Sequence, residues 1–494
     1  MFNQQVSRIL GLSWIFLGLS MIASSLWSIY ESTLDLNPLL ISSWITISSG
    51  ILLYYISHSK IIKYKKELTP RDGFAIVSIG WITMAAFSAL PLYISNYYNV
   101  YDASYFITYI DCYFEAMSGL TTTGASILGV ESGNPIIERI PAGLLFWRSF
   151  THFIGGMGII VFSLAILPMV GIGGVQLFRA EVAGPVADKL TPRVKNTAKL
   201  LWQIYLGLIL LEITALKLAG MNLFDSICHS FGTMATGGFS TKDDSIAAFH
   251  HLPAVEWIII IFMFLAATNF SLHFLWFFKR KFEYLRDKEF RFYVILILSI
   301  SALFIINSQS PKHSIFTSLS LITTTGFMNT DFGLWEGISK VLIFFLLFVG
   351  GCAGSTTGGM KLVRTMLVSK YLFTEVKKLL HPKGVFSIKI GDTPISNEII
   401  RNTLGFYLFY IFIFVFSAII FSMVDPSLSL ETSLTASASA IGNIGPGLGS
   451  IGPASNWGEL SNITKLVSCF CMLLGRLEIF TVIVIFSKSF WTKS

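Results

Sequence analysis

The sequence predicts an all-α polytopic membrane protein, in which four pore-loop repeats surround one axis and a helix pair is added at the N-terminus. Three observations carry this reading. Of the 494 residues, 53% are hydrophobic and only 13% charged, with a mean hydropathy of +0.68; a soluble chain carries about twice that charged fraction. The Thr-Thr-Gly core of Leu120–Ser126 returns in altered form at Ala235–Ser240, Thr323–Phe327 and Gly442–Gly447, with Gly124, Gly238, Gly326 and Gly445 in equivalent places. These glycines stand 114, 88 and 119 residues apart, and each interval holds two apolar helical stretches and a short one. That period is too long for a solenoid unit.

An apolar helix of about 20 residues crosses a bilayer. Ile9–Tyr30 and Pro38–His58 meet that length and carry no glycine loop, and the basic linker His58, Lys60, Lys63, Lys65, Lys66 and Arg71 closes this first unit at residues 1–71. Arg8 followed by an apolar run to Tyr30 is too long for a signal peptide and lacks a small-residue cleavage site, so it reads as the first span. Repeat 1 (72–195) has outer helix Phe74–Ile94, short helix Tyr109–Leu120, the Gly124 loop and inner helix Arg139–Pro168. Repeat 2 (196–289) has Asn196–Leu218, Asn222–Met234 and Pro253–Phe278 in the same roles. Repeat 3 (290–397) has Phe292–Asn307, Pro311–Ile322 and an inner helix from Ile338, and repeat 4 (398–494) has Ile399–Val424, Ser429–Ile441 and Ile463–Phe486.

Twelve helical residues reach only about 18 Å, so each short segment must enter the membrane and return. Its C-terminal end brings partial negative charge toward the bilayer centre, which favours a cation. Glycine supplies the positive φ and close approach that such a turn needs, and non-helical backbone survives in a bilayer only where protein buries it or it lines a wet cavity. One such loop is merely a turn. Four in matching contexts form a ring of carbonyl oxygens that replaces water around a cation.

Basic loops at Arg179–Lys199, Lys279–Arg291 and Lys361–Arg401, against none in Tyr93–Glu138 or Met423–Asn462, place those loops and both termini in the cytoplasm and the glycine loops on the far side. The net charge of +7 therefore records topology and gives no sign of nucleic acid. Cys112, Cys228, Cys352, Cys469 and Cys471 show no metal spacing and read as small buried residues.

After Val349 the third inner helix meets Gly350, Gly351, Cys352, Ala353, Gly354, Ser355, Thr356, Thr357, Gly358 and Gly359, which cannot stay helical. This segment reads as a flexible gate under the filter, or alternatively as a kink for close packing, the role assigned to Gly155, Gly156 and Gly158. It is no phosphate-binding loop, because Met360 separates Gly359 from Lys361 and no strand precedes it. Intramembrane charges cost about 2.5–3.5 kcal/mol and are usually interior. Arg476 reads as a pore-facing cation that restrains flux, with an ion pair to Glu478 or another buried acid as the alternative. Glu115 reads as a loop fastener, and His152, Glu212, Lys217 and His273 as satisfied interior polar groups. No HExxH or GxSxG occurs, so an intramembrane enzyme is disfavoured.

Together the four loops, the Gly350–Thr356 break, Gly-Arg-Leu-Glu-Ile-Phe at Gly475–Phe480, Glu-Val-Ala-Gly-Pro-Val at Glu181–Val186 and His381-Pro382 resemble the TrkH family, membrane subunits of Trk-type potassium uptake systems in the Trk/Ktr/HKT superfamily. The resemblance covers almost the whole chain. It implies M1–P–M2 repeats in pseudo-four-fold arrangement, potassium uptake across the bacterial cytoplasmic (inner) membrane, a homodimer amid lipid, and a cytoplasmic RCK-type, TrkA-like regulatory protein. The regulatory nucleotide belongs to that partner, so this chain holds no cofactor beyond the transported potassium. The implied carbonyl ligands are those of Thr122, Thr123, Thr236, Gly237, Thr324, Thr325, Asn443 and Ile444 beside Gly124, Gly238, Gly326 and Gly445, and the implied gate is Gly350–Gly359 with Arg476. Glycine at all four positions implies preference for potassium, and the lack of a Gly-Tyr-Gly ending implies modest discrimination against sodium. An ion-coupled (H+ or Na+) secondary transporter is the alternative; four-fold repetition weighs against its usual inverted two-fold design.

Overall fold

The computed structural model describes residues 4–58, 69–98, 100, 107–129, 137–165, 190–307, 309–384, 386–390 and 393–491. Most of the basic linker, the Glu181–Val186 motif, most of the Arg179–Lys199 loop and the last residues before Pro168 lie outside them. Apart from a hairpin of β1 (Lys389–Ile390) with β2 (Thr393–Pro394), the described elements are helical.

Helices α1 (Gln4–Tyr30) and α2 (Leu36–His58) form the N-terminal pair. Their backbones touch at Gly11 and Gly50, where a methyl group on Gly50 would sit 2.7 Å from Gly11 O. Between lipid-facing helices, where burial from water gives nothing, such close packing supplies the attraction.

In repeat 1 the outer helix is split into α3 (Pro70–Ser88) and α4 (Leu90–Ser95), followed by short helix α5 (Tyr109–Leu120) and inner helix α6 (Ala142–Ala165). Pro91 in the first turn of α4 lacks the N–H an unbroken helix would use there. Repeat 2 comprises α7 (Leu190–Leu218), α8 (Leu223–Met234), α9 (Pro253–Ala266) and α10 (Phe270–Lys279). Repeat 3 comprises α11 (Lys288–Ile306), α12 (Pro311–Ile322), α13 (Ile338–Leu346) and α14 (Leu362–Leu380). Repeat 4 comprises α15 (Asn397–Val424), α16 (Leu430–Gly442), α17 (Asn462–Arg476) and α18 (Ile479–Ile483), before a last turn α19 (Lys488–Trp491).

Among the described residues six helical segments are long and apolar enough to span a membrane: α1, α2 and the outer helix of each repeat. The inner helices behave differently, and here the sequence reading needs correction. Pro253–Phe278 and Ile463–Phe486 each read as one span, yet α9 and α10 meet at 96° and α17 meets Ile479–Phe486 at 117°. Neither bend has a proline or glycine at its corner. The first is held by outside partners: Cys352 N–H donates to Ala267 O (3.0 Å), Phe270 N–H donates to Gly354 O (3.1 Å), and Asn269 caps the new helix at Ser271 N (2.9 Å). The second turns at Glu478, a non-glycine residue with φ 62°.

The four short helices begin alike. Thr108, Asn222, Ser310 and Ser429 each accept from the N–H three residues on, the usual side-chain cap for the orphan donors of a first turn. Each C-terminal end is buried. Apolar clusters lie at the junctions between repeats: Phe114, Trp147 and Leu473 join repeats 1 and 4, Ile259, Phe316 and Phe327 join 2 and 3, and Phe146, Tyr205, Phe231 and Phe270 join 1 and 2.

Candidate ion filter and intramembrane loop

The capped short helices deliver four loops of one conformation. Thr122, Thr236, Thr324 and Asn443 all have φ between 49° and 55°, and the glycine two residues later has φ 80°, 77°, 78° and 102° in repeats 1 to 4. A methyl group on Gly124 would lie 1.9 Å from Gly237 O, one on Gly238 2.0 Å from Thr325 O, one on Gly326 2.0 Å from Ile444 O, and one on Gly445 2.7 Å from Thr123 O. Each loop thus abuts the next in chain order and the fourth returns to the first. The ring is closed, and only a residue without Cβ fits between neighbouring backbones at those four places.

Polar side chains brace the ring from behind. Glu115, on the first short helix, accepts from Ile127 N–H (2.9 Å) and Ser126 Oγ (3.0 Å) in its own loop and from Arg148 Nε (2.5 Å), which fits its expected role as a fastener. Arg148 also donates to Ser240 O (2.8 Å) and stacks on Phe239 at 3.6 Å, tying repeat 1 to repeat 2. His152 spans the same junction: Phe239 N–H donates to Nε2 (3.2 Å), which leaves Nδ1–H to donate to Gly119 O (2.8 Å). Between repeats 4 and 1, Lys465 pairs with Asp111 (2.6 Å). Between 3 and 2, Asn329 donates to Glu256 (2.9 Å), which also takes Lys312.

Below the ring the Gly350–Gly359 segment folds back on itself, Gly350 N–H donating to Met360 O (3.1 Å). Thr356 Oγ1 donates to Met234 O (3.0 Å), Thr236 Oγ1 to Thr356 O (3.0 Å), and Gly358 N–H to Thr324 Oγ1 (2.8 Å). A methyl on Gly358 would meet Gly442 O at 2.5 Å. The segment therefore touches the ends of the short helices of repeats 2, 3 and 4. Arg476 reaches it too, donating to Thr356 O (2.6 Å) and to Gly155 O of repeat 1 (3.4 Å). Glu289 holds both flanks, accepting from Ala353 N–H (2.8 Å) and Val363 N–H (3.0 Å).

The site residues named from sequence are thus gathered in one place: twelve in the ring, the loop and Arg476 directly beneath. Glu478 pairs with Arg364 and not with Arg476. Two further readings are corrected. Lys217 is exposed at the end of α7, and neither carboxyl oxygen of buried Glu212 has a hydrogen-bond partner among the described residues. His273 is satisfied as expected, by Tyr284 Oη (2.7 Å) and Leu265 O (3.0 Å). All five cysteines are free and buried. Sequence reasoning missed Arg148, Lys465, Glu289 and Arg364. Arg148 was findable, since Phe146-Trp147-Arg148-Ser149-Phe150 sets a charge inside an apolar run.

Fold and site define a multi-pass membrane protein of the four-repeat pore-loop class. The TrkH family model, described as "Cation transport protein", matches residues 38–308 and 305–493, and the chain belongs to that family. It is 37% identical over 504 residues to the Trk system potassium uptake protein TrkH of Halomonas elongata, covering 99% of both chains. It is 37% identical over 501 residues to TrkH of Escherichia coli K12, covering 98% of this chain and 99% of the other. The crystal structure of the potassium transporter TrkH from Vibrio parahaemolyticus superposes with a TM-score of 0.87 at 34% identity over the whole of both chains.

Proposed function

We propose that this chain takes up potassium through the ring of glycine loops, with the carbonyl groups of residues 122–124, 236–238, 324–326 and 443–445 replacing the ion's water. The observation that carries the reading is the closed contact of the four loops, each glycine against a carbonyl of the next. Four backbone segments that converge in this way supply the oxygens a dehydrated cation needs, and the relatives' names supply the ion. A membrane potential of 100 mV gives about 2.3 kcal/mol per charge, roughly fifty-fold accumulation, so no chemical coupling is required.

The Gly350–Gly359 segment is the gate in this reading and Arg476 its restraint, supported by the bonds that pin the segment beneath the ring. A cytoplasmic regulatory protein of the Trk system moves it, the chain works as a homodimer, and both termini face the cytoplasm, as the basic loops argue. Growth rescue of an uptake-deficient bacterium at low potassium tests the reading: wild type restores growth and Gly326→Ser does not. Equal rescue by both would remove the ring from the mechanism. Reversal potentials that follow potassium alone separate this pore from a proton- or sodium-coupled carrier.

A further inference from the structure

The N-terminal pair stands outside the four repeats, yet its turn reaches a helix that braces the glycine ring. Asp35, between α1 and α2, is fully buried. Its Oδ1 accepts from Thr33 Oγ1 (2.6 Å) and its Oδ2 accepts from Leu144 N–H (2.7 Å). Leu144 is the third residue of α6, whose N–H a capping side chain usually takes, and the residue before α6 is Pro141, which has no polar side chain to offer. The cap therefore comes from another element, 109 residues away. Gly143 makes room for it: a methyl group there would lie 2.0 Å from Ser28 Oγ and 2.6 Å from Asp35 Oδ2. Trp27 of α1 adds an apolar contact at the same end, its ring centroid 5.8 Å from that of Phe146 on α6 and 5.0 Å from that of Phe224 on α8.

From Leu144 one face of α6 runs down to the ring, since positions 144, 148, 152 and 155 recur every three to four residues. Arg148 binds Glu115 of repeat 1 and Ser240 O of repeat 2, and His152 joins Gly119 O to Phe239 N–H. Gly155 lies so near the first loop that a methyl group on it would sit 2.2 Å from Leu120 O. Because α6 is unbroken from Ala142 to Ala165, a shift of its first turn is carried to all three. We propose that Asp35 is a positioning residue for cation binding: by capping α6 from the N-terminal hairpin it sets the height of Arg148, His152 and Gly155 against loops 1 and 2, and so the spacing of the carbonyl oxygens those loops present. The proposal rests on the reading of the glycine loops as a cation filter. It gives the added helix pair a part in ion affinity and discrimination, besides its packing in the membrane.

The opposing explanation is that the cap stabilises the fold and nothing more. The two differ in the ion affinity of the molecules that do fold. The experiment measures potassium flux into proteoliposomes holding the full chain, normalised to folded protein, against potassium concentration and against competing sodium. Asp35→Ala should raise the half-saturating potassium concentration by about fivefold, the equivalent of one helix cap, with maximal flux little changed and sodium competing at lower concentration. Asp35→Asn keeps an oxygen for Leu144 N–H and should return both to within about twofold of wild type. Gly143→Ala, which sets a methyl group between the hairpin and α6, should move them in the same direction as Asp35→Ala and serves where that variant does not fold. Gly50→Ala loosens the pair at its Gly11 contact and should lower the thermal unfolding midpoint while half-saturation stays at the wild-type value. Wild-type half-saturation and sodium competition in both Asp35→Ala and Gly143→Ala overturn the positioning role. A wild-type chain that shows no saturable potassium flux overturns the filter reading instead.

Discussion

The glycine ring and the layer just beneath it obey opposite rules. In the ring the four repeats agree in helix cap, in backbone angle and in the neighbour that each glycine touches. In the layer beneath, no two inner helices have the same course: α6 runs unbroken through Ala165, α9 turns by 96°, α13 gives way to a loop, and α17 turns by 117°. A binding site for a spherical ion gains from symmetry, since equal oxygens around an axis match an ion without direction. Under the proposed function the Gly350–Gly359 segment is a gate, and it is in repeat 3 that the inner helix gives way to a loop. The corner between α9 and α10 bonds that segment through Ala267 O and Phe270 N–H, and the Arg364–Glu478 pair ties α14 to the corner of α17.

The contrast can be broken most forcefully behind the ring. Arg148→Met leaves Glu115 as a buried charge without its partner, which costs about 3–5 kcal/mol; the thermal midpoint should fall steeply, and Arg148→Met with Glu115→Gln should recover part of the loss. A midpoint that does not move would mean the ring stands without this brace. Within the ring, Gly326→Ala combines a φ of 78° with a methyl only 2.0 Å from Ile444 O, and strain of this kind costs about 1–3 kcal/mol. Rubidium uptake should drop by about a hundredfold, while Gly445→Ala, with 2.7 Å to Thr123 O, should be milder. The reverse ranking would show that the four positions are not limited by neighbour contact.

Beneath the ring the expected change has the other sign. Arg476→Gln removes a positive charge and its bonds to Thr356 O and Gly155 O, and basal flux should increase by about tenfold, the equivalent of one lost charged hydrogen bond. Lower flux at normal expression would make Arg476 a structural strut. The smallest effect lies farthest from the axis. Lys378→Ala breaks an exposed pair with Glu375, an interaction worth less than about 1 kcal/mol, so uptake and thermal midpoint should both match wild type.

Helical periodicity, cap residues and the recurrence of glycine determined the repeat plan at the level of the chain. Tyr109–Leu120 and Pro311–Ile322 begin and end where they were read, because a capping side chain at one end and a glycine loop at the other are local signals. The interruption after Leu346 was equally legible, within three residues, since glycine and threonine runs cannot sustain a helix in any surroundings. The corners at Ala267–Asn269 and Glu478 were not. Leu265-Ala266-Ala267-Thr268-Asn269 and Arg476-Leu477-Glu478 carry no glycine or proline, and beside the Asn269 cap their corners take hydrogen-bond partners from segments more than 80 residues away. The same holds for which charge meets which: Arg476 lies two residues from Glu478 in the chain yet binds Thr356 and Gly155, while Glu478 goes to Arg364. A sequence fixes what each residue can donate or accept, but when four repeats close around an axis, packing alone selects the partner.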